Sequence, residues 1–233
     1  MRTTRLLAAL AATATTIALA GCGSDDTGST DASASDSAAS SDTGDSADAA
    51  DAFPVTIEHA YGETVIEEQP ERVATVAWMN HEVPLALGVV PVGMAAAAYG
   101  DDDGDGVLPW VEEELEELGA ETPVLFDETE SIDFEAVADT QPDVILAAYS
   151  GLTQEEYDTL SQIAPVVAYP DVAWGTSYQD MILMNATALG LADEGQALVD
   201  ELDAEVTAAF EAYRFTDAMA TLYRFFWSEF CDW

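Results

Sequence analysis

Three sets of residues in this chain have types and spacings suited to chemistry. The first is Asp101-Asp102-Asp103-Gly104-Asp105-Gly106-Val107-Leu108-Pro109-Trp110-Val111-Glu112, which fits the calcium-loop pattern D-x-[DN]-x-[DN]-G-x₅-E in full. Asp101, Asp103 and Asp105 would offer side-chain oxygens, Val107 its carbonyl, and Glu112 a bidentate carboxylate, with Gly106 making the sharp turn. The context differs from an EF-hand, because Ala95 to Gly100 reads as the end of a strand and not as an entering helix. The competing reading is an acidic surface loop capping a helix over Trp110–Leu118. The second set is aromatic: Trp78, Tyr99, Tyr149 and Trp174, with Asn80 and Ser150 as hydrogen-bonding neighbours. Large apolar faces with a few polar groups suit a pocket for a bulky ligand, although each residue could equally serve packing. The third set is His59 and His81, on different elements and without H-E-x-x-H or C-x-x-C spacing. His81 beside Glu82 offers too few ligands for a transition-metal site, so a helix N-terminal role is expected of it. No G-x-S-x-G, Walker A or G-x-G-x-x-G occurs, and no nucleophile–base pair supports a hydrolase. A binding protein is expected, not an enzyme.

The elements that must position these residues are organised around Gln69 to Gly93, QPERVATVAWMNHEVPLALGVVPVG. Val73 to Ala77 is a short β-branched run of the kind buried on both faces of a parallel sheet. Trp78-Met79-Asn80 follows as a loop, His81 to Leu87 as about two helical turns, and Gly88 as a stop. Val89 to Gly93 reads as a second strand. Loops at the C-terminal ends of such strands are where open α/β sheets hold ligands. Before this unit, Phe53–Glu58 and Thr64–Ile66 flank Tyr61-Gly62-Glu63 as a β-hairpin. After it, a short strand ends at Phe126, a helix spans Phe134–Asp139, and a buried strand spans Val144–Ala148. A helix over Gln154–Ile163, a strand over Val166–Tyr169 and a helix over Tyr178–Leu189 complete a doubly wound α/β lobe. Ala192 to Tyr213 reads as one long amphipathic helix with Ala197, Leu198, Leu202, Val206 and Phe210 as its apolar positions.

Two of these segments carry a family resemblance. P-x-R-V, an apolar strand, a loop and a helix ending LALGVVPVG resemble the opening of the ABC-importer binding proteins for ferric siderophores, cobalamin and haem. IDFEAVADTQPDVILA, residues 132–147, is similar to their pattern of a turn, a helix and P-D-[LV]-I. The resemblance covers about Phe53 to Tyr213. It implies a Rossmann-like, doubly wound lobe over residues 53–191 of a helix-linked bilobal binding protein, with 192–213 as the interlobe helix and the second lobe absent. It implies capture of an iron chelate between lobes and delivery to an ABC permease and its ATPase, with Glu135 docking on a permease arginine. A monomer is expected. A bare helix-dipole carboxylate is the other reading of Glu135. With one lobe the cleft is half built, so weak or absent ligand binding is expected. A calcium-dependent surface adhesion module, or a haem or cobalamin binder of the same family, are the alternative functions.

The start of the chain agrees with export. Arg2 and Arg5 precede an apolar run over Leu6–Ala20, and Leu19-Ala20-Gly21-Cys22 resembles a bacterial lipobox. That resemblance implies a lipoprotein signal peptide over residues 1–21, a lipid on Cys22 and an extracytoplasmic mature protein on the outer face of the cell membrane; an ordinary signal peptide with an incidental cysteine is the other reading. Residues 22–52 form an acidic tether whose composition, Gly, Ser, Asp, Thr and Ala up to Asp51, offers little to bury.

Five Lys+Arg against 46 Asp+Glu leave a net charge of -41, and no lysine is present. Such a surface repels nucleic acid and anionic head groups. It stays soluble where salt screens self-repulsion, so a salt-tolerant source is expected. With Cys22 lipidated, Cys231 has no intramolecular disulfide partner. A polyanionic chelate would need Arg or Lys, and none lies between Arg72 and Arg214. That favours a neutral, hydroxamate-like ferric siderophore. From Arg214 to Trp233 the composition shifts abruptly, with seven aromatics in the stretch. That tail reads as an aberrant or frameshifted ending, and a membrane-lying amphipathic tail is its rival reading.

Overall fold

A computed structural model of the chain describes residues 52–217, 219 and 220. The signal segment, Cys22 and nearly all of the tether lie outside the described residues, as does most of the aromatic tail. Short hydrophobic runs form the sheet. Strands β3 (Val73–Thr75), β4 (Gly93–Ala95), β5 (Val124–Phe126), β6 (Val144–Leu146) and β7 (Val166–Val167) pair in the order β5-β4-β3-β6-β7. Every neighbouring pair is parallel, with Thr75 opposite Leu146 and Ala95 opposite Phe126. The chain therefore winds one way from β3 through β4 to β5, then returns to the other side of β3 for β6. The crevice between β3 and β6 is the switch point of the sheet.

Helices cover both faces, which is why the strands are apolar without alternation. Val73, Val144, Leu146 and Val167 point to one face, against α1 (Glu82–Ala86), α5 (Tyr178–Ala188) and α6 (Ala192–Glu211). Ala74, Ile145 and Val166 point to the other, against α3 (Phe134–Asp139) and α4 (Gln154–Leu160). Leu85 and Met94 pack with Val111 and Leu115 of α2 (Pro109–Leu118). The helix ends follow local chemistry. Pro109 opens α2 and Gly119 closes it in the left-handed conformation. Asp133 caps α3 by accepting from the Ala136 N–H at 3.0 Å. Thr153 and Glu156 form a reciprocal capping box on α4.

The two segments that carry the family resemblance touch each other. The Asp143 carboxylate accepts the backbone N–H groups of Glu71, at 2.9 Å, and Arg72, at 3.0 Å. The Arg72 guanidinium in turn donates to the carbonyls of Gln141, at 2.9 Å, and Thr140, just past the end of α3. A cation there meets the negative end of the helix. The R of P-x-R-V and the D of P-D-V-I thus set the register of β3 beside β6.

The hairpin of β1 (Val55–His59) and β2 (Gly62–Ile66) is antiparallel and bolted to β7. The Tyr61 N–H donates to His59 Nδ1 at 3.2 Å, so His59 Nε2 carries the proton toward Thr64 Oγ1 at 2.9 Å. Thr64 passes its own proton to the Val166 carbonyl at 2.7 Å. Burial lowers the His59 pKa, the direction that favours the neutral ring this chain of bonds requires.

Two sequence expectations are corrected. The second strand is Gly93–Ala95 and not Val89–Gly93. Pro91 has no N–H for a ladder, and the chain from Gly88 crosses to the sheet before pairing begins at Gly93. On α6 the buried positions are Gly195, Val199 and Ala209, with Leu198, Leu202 and Val206 partly covered. Ala197 and Phe210, expected on the apolar face, are exposed. Gly195 leads that stripe because a Cβ there would lie 2.4 Å from Ala186 on α5.

Candidate functional site

A cavity of about 770 Å³ opens over the C-terminal ends of the strands. Each parallel strand sends a loop into its wall. β3 contributes Ala77 and Trp78, β4 contributes Ala95 to Tyr99, and β5 contributes Asp127, Glu128 and Thr129. β6 contributes Tyr149, Gly151 and Leu152, and the loop after β7 contributes Trp174. The four aromatics picked from the sequence are brought together here. Tyr149 and Trp174 meet edge to face, with ring centroids 5.4 Å apart. Tyr99 and Trp174 are exposed, at 69% and 53%. Core packing therefore does not account for these two.

The wall is held in an unusual backbone. Ala77, Met79 and Trp174 have φ of 59°, 68° and 59°, in the left-handed region that residues with a Cβ seldom adopt. Such conformations persist where surrounding bonds over-determine them. The Ala77 N–H donates to Glu128 Oε2 at 2.9 Å, and the Trp174 N–H donates to the Ser150 carbonyl at 2.8 Å.

Asn80 and Ser150 have a different place from the other four. Both are fully buried and neither lines the cavity. Asn80 ties the β3 loop to the β6 loop across the switch point. Its amide donates to the carbonyls of Val76 at 2.9 Å, Trp78 at 3.2 Å and Tyr149 at 2.8 Å. Its oxygen accepts the Tyr149 N–H at 3.0 Å. Its geometry is that of a clamp beneath Trp78 and Tyr149. Ser150 Oγ is buried without a hydrogen-bond partner among the described residues.

The sequence reading missed the acidic part of the wall. Asp127, Glu128 and Glu156 line the cavity beside the aromatics. Burial pushes the Glu128 carboxyl up to about 7; the Ala77 N–H acts against this and Glu156 adds to it. Glu128 Oε1 is buried with no hydrogen-bond partner among the described residues. The signal available in the sequence was position: Asp127 and Glu128 directly follow β5, on the ligand side of the sheet.

His81 and Glu82 lie under the β3 loop, both buried. Burial lowers His81 to about 4, so it is neutral. Burial raises Glu82, opposed by the Trp110 indole N–H at 3.3 Å. In the acidic loop, carboxylate oxygens of Asp101, Asp103 and Asp105 lie within 4.8 Å of one another. Asp101 accepts the N–H groups of Gly104 and Gly106, each at 2.7 Å, which lower its pKa. Glu112, in the first turn of α2, is raised by desolvation and then by the charges of Asp105 and Asp103. The Val107 N–H donates to Asp105 at 2.8 Å. Glu135 is exposed in the first turn of α3, on an adjoining depression formed by Asp127 and residues 129–135, some of which also line the cavity.

Comparison with known proteins decides the family. The model of the family described as periplasmic binding protein matches residues 73–229. The chain belongs to that family. Its match runs into the aromatic stretch that begins at Arg214. A "Probable siderophore-binding lipoprotein YfiY" of Bacillus subtilis is 29% identical over 154 residues, covering 65% of this chain and 43% of that protein. The crystal structure of Streptococcus pneumoniae PiaA in complex with ferrichrome is 48% identical with a TM-score of 0.65, covering 68% of this chain and 52% of that one. The chain thus spans about half the length of the relatives it matches. A 30-residue segment is 73% identical to part of the valine–tRNA ligase of Geobacter sulfurreducens, 3% of that enzyme. A fragment that small carries no argument about function. Among the described residues, no helix is long and apolar enough to cross a membrane.

One side-chain substitution separates the cavity from the core. A Cβ on Gly151 would lie 2.2 Å from Trp174 Nε1. Trp174 is half exposed and can swing away. Gly151→Ala is therefore expected to change unfolding free energy by less than about 0.5 kcal/mol. It should nonetheless shift the Trp174 indole cross-peak in a ¹H–¹⁵N spectrum. A spectrum unchanged at that peak would show that the ring does not pack on Gly151.

Proposed function

We propose that this chain is the ligand-capturing lobe of an extracytoplasmic solute-binding protein that delivers a ferric siderophore to an ABC permease and its ATPase. The observation that carries the reading is the aromatic cavity at the switch point, walled by Trp78, Tyr99, Tyr149 and Trp174. Flat apolar faces around a wide mouth suit a bulky chelate. The siderophore-binding relative and the ferrichrome complex of PiaA support the ligand class. With no Arg or Lys in the wall, a neutral hydroxamate chelate fits better than a carboxylate or catecholate one. Capture, not catalysis, is the role. Glu135, exposed at the rim of α3, is the residue proposed to dock on the permease. Cys22 is proposed as the lipid attachment site, and the protein as a monomer.

The test is a titration of the full chain with the gallium form of a neutral tris-hydroxamate, followed by indole cross-peaks. Saturable shifts at Trp78 and Trp174 are expected. The chain spans about half the length of its relatives, so fewer contacts offset the cost of association and dissociation constants above the micromolar range are expected. Trp78→Ala should weaken binding about tenfold or more, since aromatic anchors dominate such sites. No saturable shift, or shifts unaffected by Trp78→Ala, would overturn the assignment of this cavity.

A structural calcium ion in the loop Asp101–Glu112 is a second reading, favoured by the convergence of Asp101, Asp103 and Asp105 and the closeness of Glu112. Millimolar calcium is expected to raise the Tm, and Asp105→Asn to abolish the rise. An equal rise with magnesium would mark general charge screening instead.

A further inference from the structure

The cavity wall has a charge as well as a shape. Asp127, Glu128 and Glu156 face it from the loop after β5 and from α4. Each has local partners, yet none of those partners is a cation. Asp127 accepts from the Thr129 N–H at 3.0 Å and from the Thr129 hydroxyl, which hold it ionised. Glu156 accepts from the Thr153 N–H at 2.7 Å and hydroxyl at 2.8 Å. Glu128 has one oxygen on the Ala77 N–H and a second, buried, that meets no donor among the described residues.

The described cations are committed elsewhere. Arg72 binds carbonyls beyond α3, at the start of β3 and so at the opposite end of the sheet. Arg214 pairs with Asp217 at 2.7 Å. Trp78, Tyr149 and Trp174 add ring faces, which attract cations in their own right. Carboxylates with no cationic partner in a concave wall, Glu128 among them although burial pushes it up to about 7, focus a negative potential on whatever enters, and an incoming cation favours the charged form of Glu128.

We propose that this wall selects its ligand by charge, and that Glu128 and Glu156 receive a cationic group, such as an ammonium, carried by an otherwise neutral ferric hydroxamate. This rests on the capture reading above and names the ligand's charge class. The cationic group would sit against the Glu128 and Glu156 carboxylates in the wall, and its ring-facing side would lie on the aromatics.

The test uses the full chain and gallium complexes of one linear tris-hydroxamate, with its terminal amine free, acetylated or succinylated. The three share a metal core and differ only in carrying one positive charge, none, or one negative charge. Affinity, read from indole cross-peaks, should fall in that order by about tenfold across the series at low salt. High salt should compress the spread. Glu128→Gln and Glu156→Gln should each narrow it. Equal or tighter binding of the acetylated or succinylated form would overturn charge selection and leave the capture reading standing. A spread unchanged in both glutamine variants would overturn the assignment to these two residues. No saturable shift with any of the three would overturn both readings.

Discussion

Replacing Asn80 by alanine is expected to lower the unfolding free energy by about 3 kcal/mol, read as a shift of the urea midpoint at constant slope. Asn80 is fully buried at the switch point and satisfies four backbone groups. A buried hydrogen bond contributes about 1 kcal/mol net, and removing one partner adds desolvation of the other. Water cannot readily replace the amide, because the site lies beneath Trp78 and Tyr149. Asn80→Asp keeps the volume and the oxygen that accepts the Tyr149 N–H, but it turns a second oxygen toward three carbonyls. It should therefore be at least as destabilising as alanine. A loss below about 1 kcal/mol in both variants would show that the two loops hold their positions without the clamp. The same substitutions should broaden the Trp78 and Trp174 indole signals, since the clamp sets the spacing of the cavity's two sides.

Gly93→Ala is expected to cost about 3 kcal/mol, for a steric reason. Gly93 starts β4, opposite Ala74 of β3 and Val124 of β5. A Cβ there would lie 2.2 Å from Phe126 Cζ, and Phe126 is fully buried. Unlike Trp174 beside Gly151, this ring has no solvent to move into. Either the sheet spreads or the ring leaves its place in the core. Phe126→Leu makes room, so the double variant should be more stable than the sum of the two single losses by about 1 kcal/mol or more. Strict additivity would mean that the added methyl acts through something other than Phe126.

These two sites mark the boundary of what was legible in the chain. Asn80 was visible as a polar residue on a ligand loop, and its type suggested contact with the ligand. Its role as a clamp depends on Tyr149, 69 residues away, and on the strand order that places β6 beside β3. No local pattern encodes that adjacency. Glu128 was passed over for a similar reason. It stands in an acidic loop of an acidic chain, and only the β5-β4-β3 run carries that loop to the cavity.

Much else was decided locally. The helix Phe134–Asp139 has the bounds read from the sequence, because a capping carboxylate at Asp133 and a proline at Pro142 act over a few residues. The unalternating runs at Val73 and Val144 announced strands covered on both faces, hence a parallel sheet and an α/β lobe. The position of the cavity at the strands' C-terminal ends followed from that fold alone. Tertiary structure decided the rest: which loops meet, which carboxylates share one wall, and which glycines stand where a methyl group would collide. Periodicity and capping depend on neighbours along the chain, and those are written in order. Closeness across the sheet depends on the winding, which places Tyr149 and Glu128 in the wall of one cavity and Asn80 beneath it, from three distant parts of the sequence.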